Sequence, residues 1–515
     1  MFLSGRALEV SRYLACILHE KKKPTWLQIG FFAKNACVTD EKMVHVCYNL
    51  SFQTKKSTNW TMSINFTQIR DGFGREIRVS TDPAPILQNA GLIPVQYWLS
   101  KCRFFEELES CIGDTLQHVR RPKSARANVF SNMDLIMQRI FALMAGYEDL
   151  NDHDLLAADA GFQTAVGNEL ASCSTLCRFE RKIPEELLDK GNEFLRNFFL
   201  RHGPRKKVLI IDVDNTPVET HGFQEGRKFN GHYDCNCYLP LLAFIEGYPI
   251  GVYNGTIDGR KRMLEVLRPL VESIRAERPN TVILLRADSG FSNTALIDLC
   301  HELGIYYLIG LAKNKALIKR LENWDPEFIK VLRQPESIGD VLSHIGEIRD
   351  YKAKSWTGPR RVIVRDYWND TRREWDVRFI QTNIPDMNDG TCADLWKKSS
   401  EELYNLLYCQ RGLAEQYNQE FKVQAFGKRV SSTRQTTNSY RMLLAALCQA
   451  AFRFLRTKFF RKSSPWRTTT LTKFRRECIQ VPAIAIKNTK RHLTLAFDRA
   501  ALSSPCLTRM LCLER

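Results

Sequence analysis

The chain has 515 residues, 44% of them hydrophobic and 10% aromatic, a globular composition long enough for three or four folding units. Seventy-five Lys and Arg against fifty-seven Asp and Glu leave a net charge of +18 and point to a polyanionic partner. No stretch supplies the ~18 uninterrupted apolar residues of a membrane helix, and Arg6, Glu9 and Arg12 interrupt the apolar core a signal peptide would need, so a cytoplasmic protein with no membrane partner is expected.

Residues 1 to about 60 show little sustained periodicity, and the whole of 1–130 reads as a poorly defined N-terminal region, a candidate DNA-binding segment. Helical patterning begins near "DPAPILQNAGLIPVQYW" and is clear from Ser131, where Leu135, Ile136, Ile140, Leu143 and Met144 recur at three and four. The acids Glu148, Asp149, Asp152 and Asp154 around His153 resemble a metal cluster, but no partner spacing supports one and they read as helix-start residues. Ser174 or Thr175 is expected to cap a short basic helix, followed by a longer amphipathic one, and 131–205 forms a helical domain. The sixteen cysteines include no CxxC pair, only "CSTLC" and "CNC", which argues against structural zinc and for mostly reduced thiols.

From Lys207 the texture changes to three β-like runs, "VLIIDVD", "HYDCNCYLPLLAFI" and "YPIGVYNGT". Helix follows over Gly259–Glu277, with Pro269 inside expected to kink or split it. The strand "TVILLRAD", the helix "SNTALIDLCHELG" and the strand "IYYLIGLA" complete a β-β-β-α-β-α-β order over 206–315. That order implies an α/β unit, a mixed sheet with flanking helices. Period-two alternation over 316–400 reads as an antiparallel β insertion domain, and helix resumes over 401–430.

Two acids end the first strand, Asp212 and Asp214, and Asp288 follows a second buried strand. Ligands collect at the carboxyl ends of strands in open α/β sheets, and carboxylates drawn together there favour a divalent cation. Alone, Asp288 would read as a helix cap. On the late helix, at about 100° per residue, Tyr408, Arg411, Glu415 and Lys422 fall on one narrow face, while Glu402 and Glu420 point elsewhere. Taken singly this face reads as a salt-bridged surface.

With these residues in place the sequence resembles the DDE transposases of bacterial insertion sequences, RNase-H-like enzymes, and within them the group with a Tyr-Arg-Glu-Lys helix signature. The spacing Tyr408-x2-Arg411-x3-Glu415-x6-Lys422 fits that signature at every interval, Asp214-Asn215-Thr216 fits its first motif, and Asp288 in "LLRADSGF" fits its second. The segments "GYEDLNDHD" and "THGFQEGRKFNGHYDCNCYLPL" resemble one branch of the group, and the likeness covers about residues 130 to 495. It implies that Asp214, Asp288 and Glu415 hold Mg2+ or Mn2+ and catalyse strand cleavage and strand transfer. Asp212 shares a strand face with Asp214 and competes as first acid; Asp214 is favoured because Thr216 follows it. The resemblance further implies that Tyr408, Arg411 and Lys422 hold phosphates, that an aromatic residue of the β insertion holds a flipped base, with Trp356 the candidate, and that the protein acts on double-stranded DNA, both element ends and target, as a homodimer or higher synaptic complex in the bacterial nucleoid. The basic segment within 431–515, Ala451–Arg476, carries nine Lys or Arg, no acid and interleaved aromatics. Arg453, Arg456, Lys458, Arg461 and Lys462 are therefore expected to contact DNA. The competing readings are an inactive transposase-derived DNA-binding protein and an RNase-H-like nuclease without joining activity.

Overall fold

In the computed structural model the chain is described over residues 48–52, 62–66, 69–70, 76–77, 86–117, 119, 130–167, 169–254, 259–322, 343–369, 374–385, 398–488 and 493–512. The readings of residues 1–47 and 53–60 lie outside them. The chain divides into two units, residues 1–82 and 83–515. In the first, strand β1 (Tyr48–Phe52) pairs antiparallel with β2 (Met62–Phe66), and β3 (Ile69–Arg70) with β4 (Glu76–Ile77).

The second unit is organised by an eight-stranded sheet. Its first five strands are β6 (Val208–Asn215), β10 (Leu241–Ile245), β11 (Tyr248–Tyr253), β12 (Val282–Ala287) and β13 (Tyr306–Leu311), in the order β11-β10-β6-β12-β13. β10 runs antiparallel to β6 and β11, whereas β6, β12 and β13 are parallel. This is the RNase-H-like arrangement expected from the sequence. Strand β10 is buried along its whole length and β12 and β13 nearly so, because helices cover the sheet and both faces must be apolar. The helices Glu186–His202 and Gln435–Phe459 lie against β11. Asn192 of the former accepts from Val252 N–H at 2.9 Å and donates to Val252 C=O at 3.1 Å. An edge strand is thereby satisfied by a side chain instead of a further strand.

The segment read as a β insertion begins with a helix, Lys315–Glu322, and then supplies β14 (Ser343–Tyr351), β15 (Arg360–Asn369) and β16 (Glu374–Thr382). These strands form a meander in which β16 pairs antiparallel with β13, so the central sheet continues through β16, β15 and β14. Between β6 and β10 the run "HYDCNCYLPLLAFI" is divided at Pro240, which has no N–H for a ladder. Its first part, β9 (Cys235–Tyr238), pairs instead with β7 (Val218–Glu219) and β8 (Lys228–Asn230) in a separate small sheet. A second small sheet of this unit joins β5 (Ile86–Leu87), β17 (Ala483–Asn488) and β18 (Leu493–Phe497).

Two local expectations change. The helix Gly259–Glu277 runs through Pro269 as one element instead of splitting. The cap of helix Cys173–Glu180 is Ser172, whose hydroxyl accepts from Thr175 N–H, so Ser174 and Thr175 sit inside the first turn. The acids around His153 stand at a helix start as expected, Asp152 and Asp154 in the first turn of Asp152–Leu156, while Asp149 pairs with Arg429 at 2.7 Å, Asp154 also accepts from Cys173 N–H, and His153 is buried between Gln138 and Arg139. Helix Asn132–Ala145 starts at a reciprocal capping box of Ser131 and Asp134. Cys478 and Cys506 are joined as a disulfide, and the remaining described cysteines that are characterised, Cys300 and Cys448 among them, are free thiols.

The helical layer has a polar tie. Glu180, fully buried, accepts from Arg139 at 3.0 Å and Arg441 at 2.8 Å, joining three helices. Removing its carboxylate leaves the buried Arg139 and the half-buried Arg441 without that counter-charge, and Glu180→Ala should cost about 3–5 kcal/mol, read as a lower urea midpoint.

Candidate active site

Register explains how two of the acids meet. Arg286 of β12 lies beside Asp212 of β6 in a parallel pair, so two residues further along each strand Asp288 comes level with Asp214. Both carboxylates stand at the carboxyl end of the sheet. The Asp288 side chain also closes a short turn, its Oδ1 accepting from Gly290 N–H at 2.8 Å, which leaves Oδ2 directed outward.

The late helix, residues 400–424, crosses this end of the sheet. It starts at a capping box of Ser399 and Glu402 and is irregular along much of its length: Leu403–Tyr408 and Glu420–Gln424 are π turns, Cys409–Arg411 is a 3-10 turn, and regular α-helix is confined to Ser400–Glu402 and Gly412–Gln419. Wide turns of this kind are costly and concentrate at functional sites. One carbonyl in the first π turn, that of Leu407, is taken by Arg286 Nη1. The other side of the Arg286 guanidinium grips both oxygens of Asp212, at 2.5 and 2.8 Å. Asp212 is therefore not brought to the other acids. Its charge is compensated in the interior, and its pairing fixes the helix against the sheet.

Arg411 holds the remaining three carboxylates. Its Nη2 lies 3.3 Å from Asp214 Oδ1 and 3.5 Å from Asp288 Oδ2, and its Nη1 lies 3.5 Å from Glu415 Oε1. The three acid side chains are 15%, 40% and 68% exposed in that order, so the cluster opens to solvent on the side of Glu415. Burial pushes the Asp214 carboxyl up to about 6; Arg411 opposes the shift and Asp288 adds to it. Among the described residues no three His, Cys, Asp or Glu side chains stand close enough together to hold an ion as they are. The acids meet through the guanidinium instead.

Tyr408 and Lys422 are also placed here. The Tyr408 hydroxyl lies over Gly310 of β13, where a Cβ would sit 2.9 Å from it and 2.7 Å from the Ser289 nitrogen, so only glycine admits both neighbours. Burial raises the Tyr408 phenol to about 12, with Arg411 pulling the other way. Lys422 is half-buried, and desolvation lowers its ammonium although Asp214 draws it upward.

One partner escaped the sequence reading. Asn418 donates from Nδ2 to Asp214 Oδ2 at 2.6 Å and is itself buried. The signal existed, because at 100° per residue Asn418 falls at about 280° from Tyr408, on the face of Arg411 and Lys422. Arg286 had a signal too, a cation inside an otherwise apolar strand.

The model for transposase DDE domain group 1 matches residues 69–514. The chain belongs to the DDE transposase family. No protein with a curated description matches it. Among solved structures, the piggyBac transposase of a cryo-EM synaptic complex with hairpin DNA is similar over 76% of this chain and 79% of that one, at 11% identity and a TM-score of 0.38, too loose a likeness to bear on individual residues. No helix among the described residues of this transposase is long and apolar enough to cross a membrane.

The residues expected at a DNA surface divide by burial. Lys458, Arg461 and Lys462 are exposed. Arg453 is half-buried and lies over the Tyr417 ring at 5.4 Å. Arg456 is 5% exposed, donates to Thr469 C=O at 2.6 Å and cannot reach DNA as placed. Trp356 is likewise a core residue, packed edge-on against Tyr351 with Arg360 stacked at 4.0 Å, because the helix Lys315–Glu322 closes over that face of β15 and β16. Charge density along a sequence does not reveal which cations the fold will bury.

Behind the acid cluster Glu420 is enclosed by the long helix Gln435–Phe459, its Oε2 accepting from Gln449 at 3.2 Å. Burial raises its carboxyl to about 7, against the pull of Arg453. A raised acid binds more protons folded than unfolded between about 4.5 and 7, so its contribution to stability declines as pH rises through that window. Glu420→Gln should match the wild type in thermal midpoint at pH 5 and exceed it at pH 8, by about 1–3 kcal/mol.

Proposed function

We propose that this transposase cleaves DNA at the ends of a bacterial insertion sequence and transfers the freed strand into target DNA, with Asp214, Asp288 and Glu415 as the acids that hold Mg2+ or Mn2+. The observation that carries the reading is the single guanidinium touching all three carboxylates. Acids from two strands and a distant helix have no reason to converge on an open cleft unless a dense positive charge belongs among them. The donor set fits such an ion, being three hard oxygen ligands in graded exposure. When bound, divalent cations supply charge that activates the attacking oxygen and steadies the departing one.

The chain's own groups have separable tasks. Asn418 fixes the rotation of Asp214 by occupying Oδ2, which leaves Oδ1 toward the cluster. Arg411 neutralises the acids before substrate arrives. Its contacts at 3.3–3.5 Å are loose enough to be exchanged for a phosphate oxygen, which an arginine grips well. Tyr408, with a phenol that stays protonated, is a hydrogen-bond donor beside the scissile position. Lys422 and the exposed Lys458, Arg461 and Lys462 lie against the backbone of the element end, where cations position DNA without reading its sequence. Assembly of two or more copies on paired ends completes the reading.

The test is a labelled duplex carrying the element's end, a target plasmid and Mg2+. The wild type should yield joined product. Nicking alone would identify a nuclease, and binding alone an inactive derivative. Asp288→Asn and Glu415→Gln should each lower joining by about a thousandfold or more. In the absence of DNA, Mg2+ or Mn2+ should raise the thermal midpoint of the wild type and leave that of an Asp214→Asn, Asp288→Asn double variant unchanged. Full joining by Asp288→Ala would remove the acid assignment.

A further inference from the structure

Between Asn215 and Leu241 the chain leaves the central sheet as the ribbon β7-β9-β8. Its base is closed by Thr216 N–H donating to Pro240 C=O at 3.3 Å. Because Leu242 lies opposite Asp214 in register, the ribbon stands at the end of the sheet that carries the acids. It is tied firmly to the segment after the late helix. The buried Gln224 donates to the carbonyls of Val430 and Ser432, Glu225 N–H donates to Thr433 C=O at 2.9 Å, and Glu225 Oε2 accepts from Gln435 N–H at 3.1 Å. Within the ribbon the Tyr238 hydroxyl donates to Glu225 C=O at 2.7 Å.

On this anchored frame three rings face solvent: Phe223 is 91% exposed, Phe229 63% and Tyr233 40%. Three exposed rings on one anchored ribbon offer a recognition surface. Two cations accompany them: Arg227 stacks on Phe223 at 4.7 Å and Lys228 is exposed on the adjoining strand. The His232 ring meets that of Tyr233 edge-on at 4.7 Å. Burial raises the Tyr233 phenol, and the charges of Asp214 and Asp288 add to the shift.

We infer that this ribbon is a stacking platform for unpaired bases of the DNA strand whose phosphate lies over Asp214 and Asp288. The inference rests on the transposase reading above and assigns the ribbon a task that the buried Trp356 cannot perform. Rings flanked by cations beside an acid cluster suit single-stranded DNA, since every base offers a π face and the strand brings the phosphates that Arg227 and Lys228 attract. A protein partner would account for the exposed rings but not for their place beside the carboxylates.

The full chain is titrated, without divalent ions, with a fluorescein-labelled twelve-nucleotide oligo(dT) and with a random duplex of the same length. Combined Phe223→Ala, Phe229→Ala and Tyr233→Ala should weaken single-strand binding about tenfold to a hundredfold and change duplex binding less than twofold. A 2-aminopurine within the oligonucleotide should be quenched by the wild type and not by the variant. Phe223→Ala alone, at an almost fully exposed position, should show a smaller loss in the same direction with an unchanged thermal midpoint. Absence of wild-type single-strand binding, single-strand affinity within twofold of the wild type, or an equal loss on both probes overturns the platform. A wild type that cuts end DNA yet is indifferent to the rings removes the ribbon assignment alone. One that depends on the rings but never cuts removes the transposase reading and leaves the platform standing.

Discussion

The contact on which the site depends is electrostatic: one arginine side chain, Arg411, lies within 3.5 Å of an oxygen from each of three carboxylates. Like charges brought this near repel, and the most buried of them, Asp214, already resists ionising. A positive group among them is therefore a condition for the cleft to exist in its open form. The surrounding architecture serves that condition. Parallel register levels Asp214 with Asp288, the absence of a side chain at Gly310 lets the Tyr408 ring settle over the sheet, and the late helix turns Arg411 and Glu415 toward the strand ends.

Asp212 and Asp214 show how little sequence separates an acid paired in the interior from one at the open cleft. They are two residues apart on one strand. Asp212 lies where Arg286 can clasp both its oxygens, and its charge is spent inside the protein. Asp214 lies one repeat further, past the reach of Arg286, with a neutral amide on one oxygen and a shared guanidinium on the other. The pair with Arg286 has its own use, since the same guanidinium holds the Leu407 carbonyl and so connects the strand to the helix that delivers Glu415.

Much of this was legible in the sequence. Apolar runs ending in acids gave the strands and their order, because a strand covered on both faces can be written only in apolar residues. The placing of Tyr408, Arg411, Glu415 and Lys422 on one side of a helix followed from spacing, although the true helix departs from a uniform 100° step. Other features were not legible for identifiable reasons. Burial of Arg456 and Trp356 is decided by elements distant in sequence, the segment around Thr469 and the helix Lys315–Glu322 respectively. Of the small β7-β9-β8 ribbon only β9 lies inside an apolar run, divided from β10 at Pro240, and β7 and β8, two and three residues long, are too short to show a period. The cap at Ser172 was not legible because Ser172, Ser174 and Thr175 carry hydroxyls within four residues and spacing alone does not choose among them.

The irregular turns of the late helix bear on how this chain can vary. A π turn holds one more residue than the α turn it replaces, so Leu403–Tyr408 and Glu420–Gln424 each behave as a stored insertion. Exchanging side chains there leaves the count intact. Losing one residue from the first would let the turn close to ordinary pitch and swing everything beyond it by about a quarter of a revolution, carrying Arg411 and Glu415 off the strand ends together. Across related chains, the length of this stretch is then under tighter restraint than its spelling.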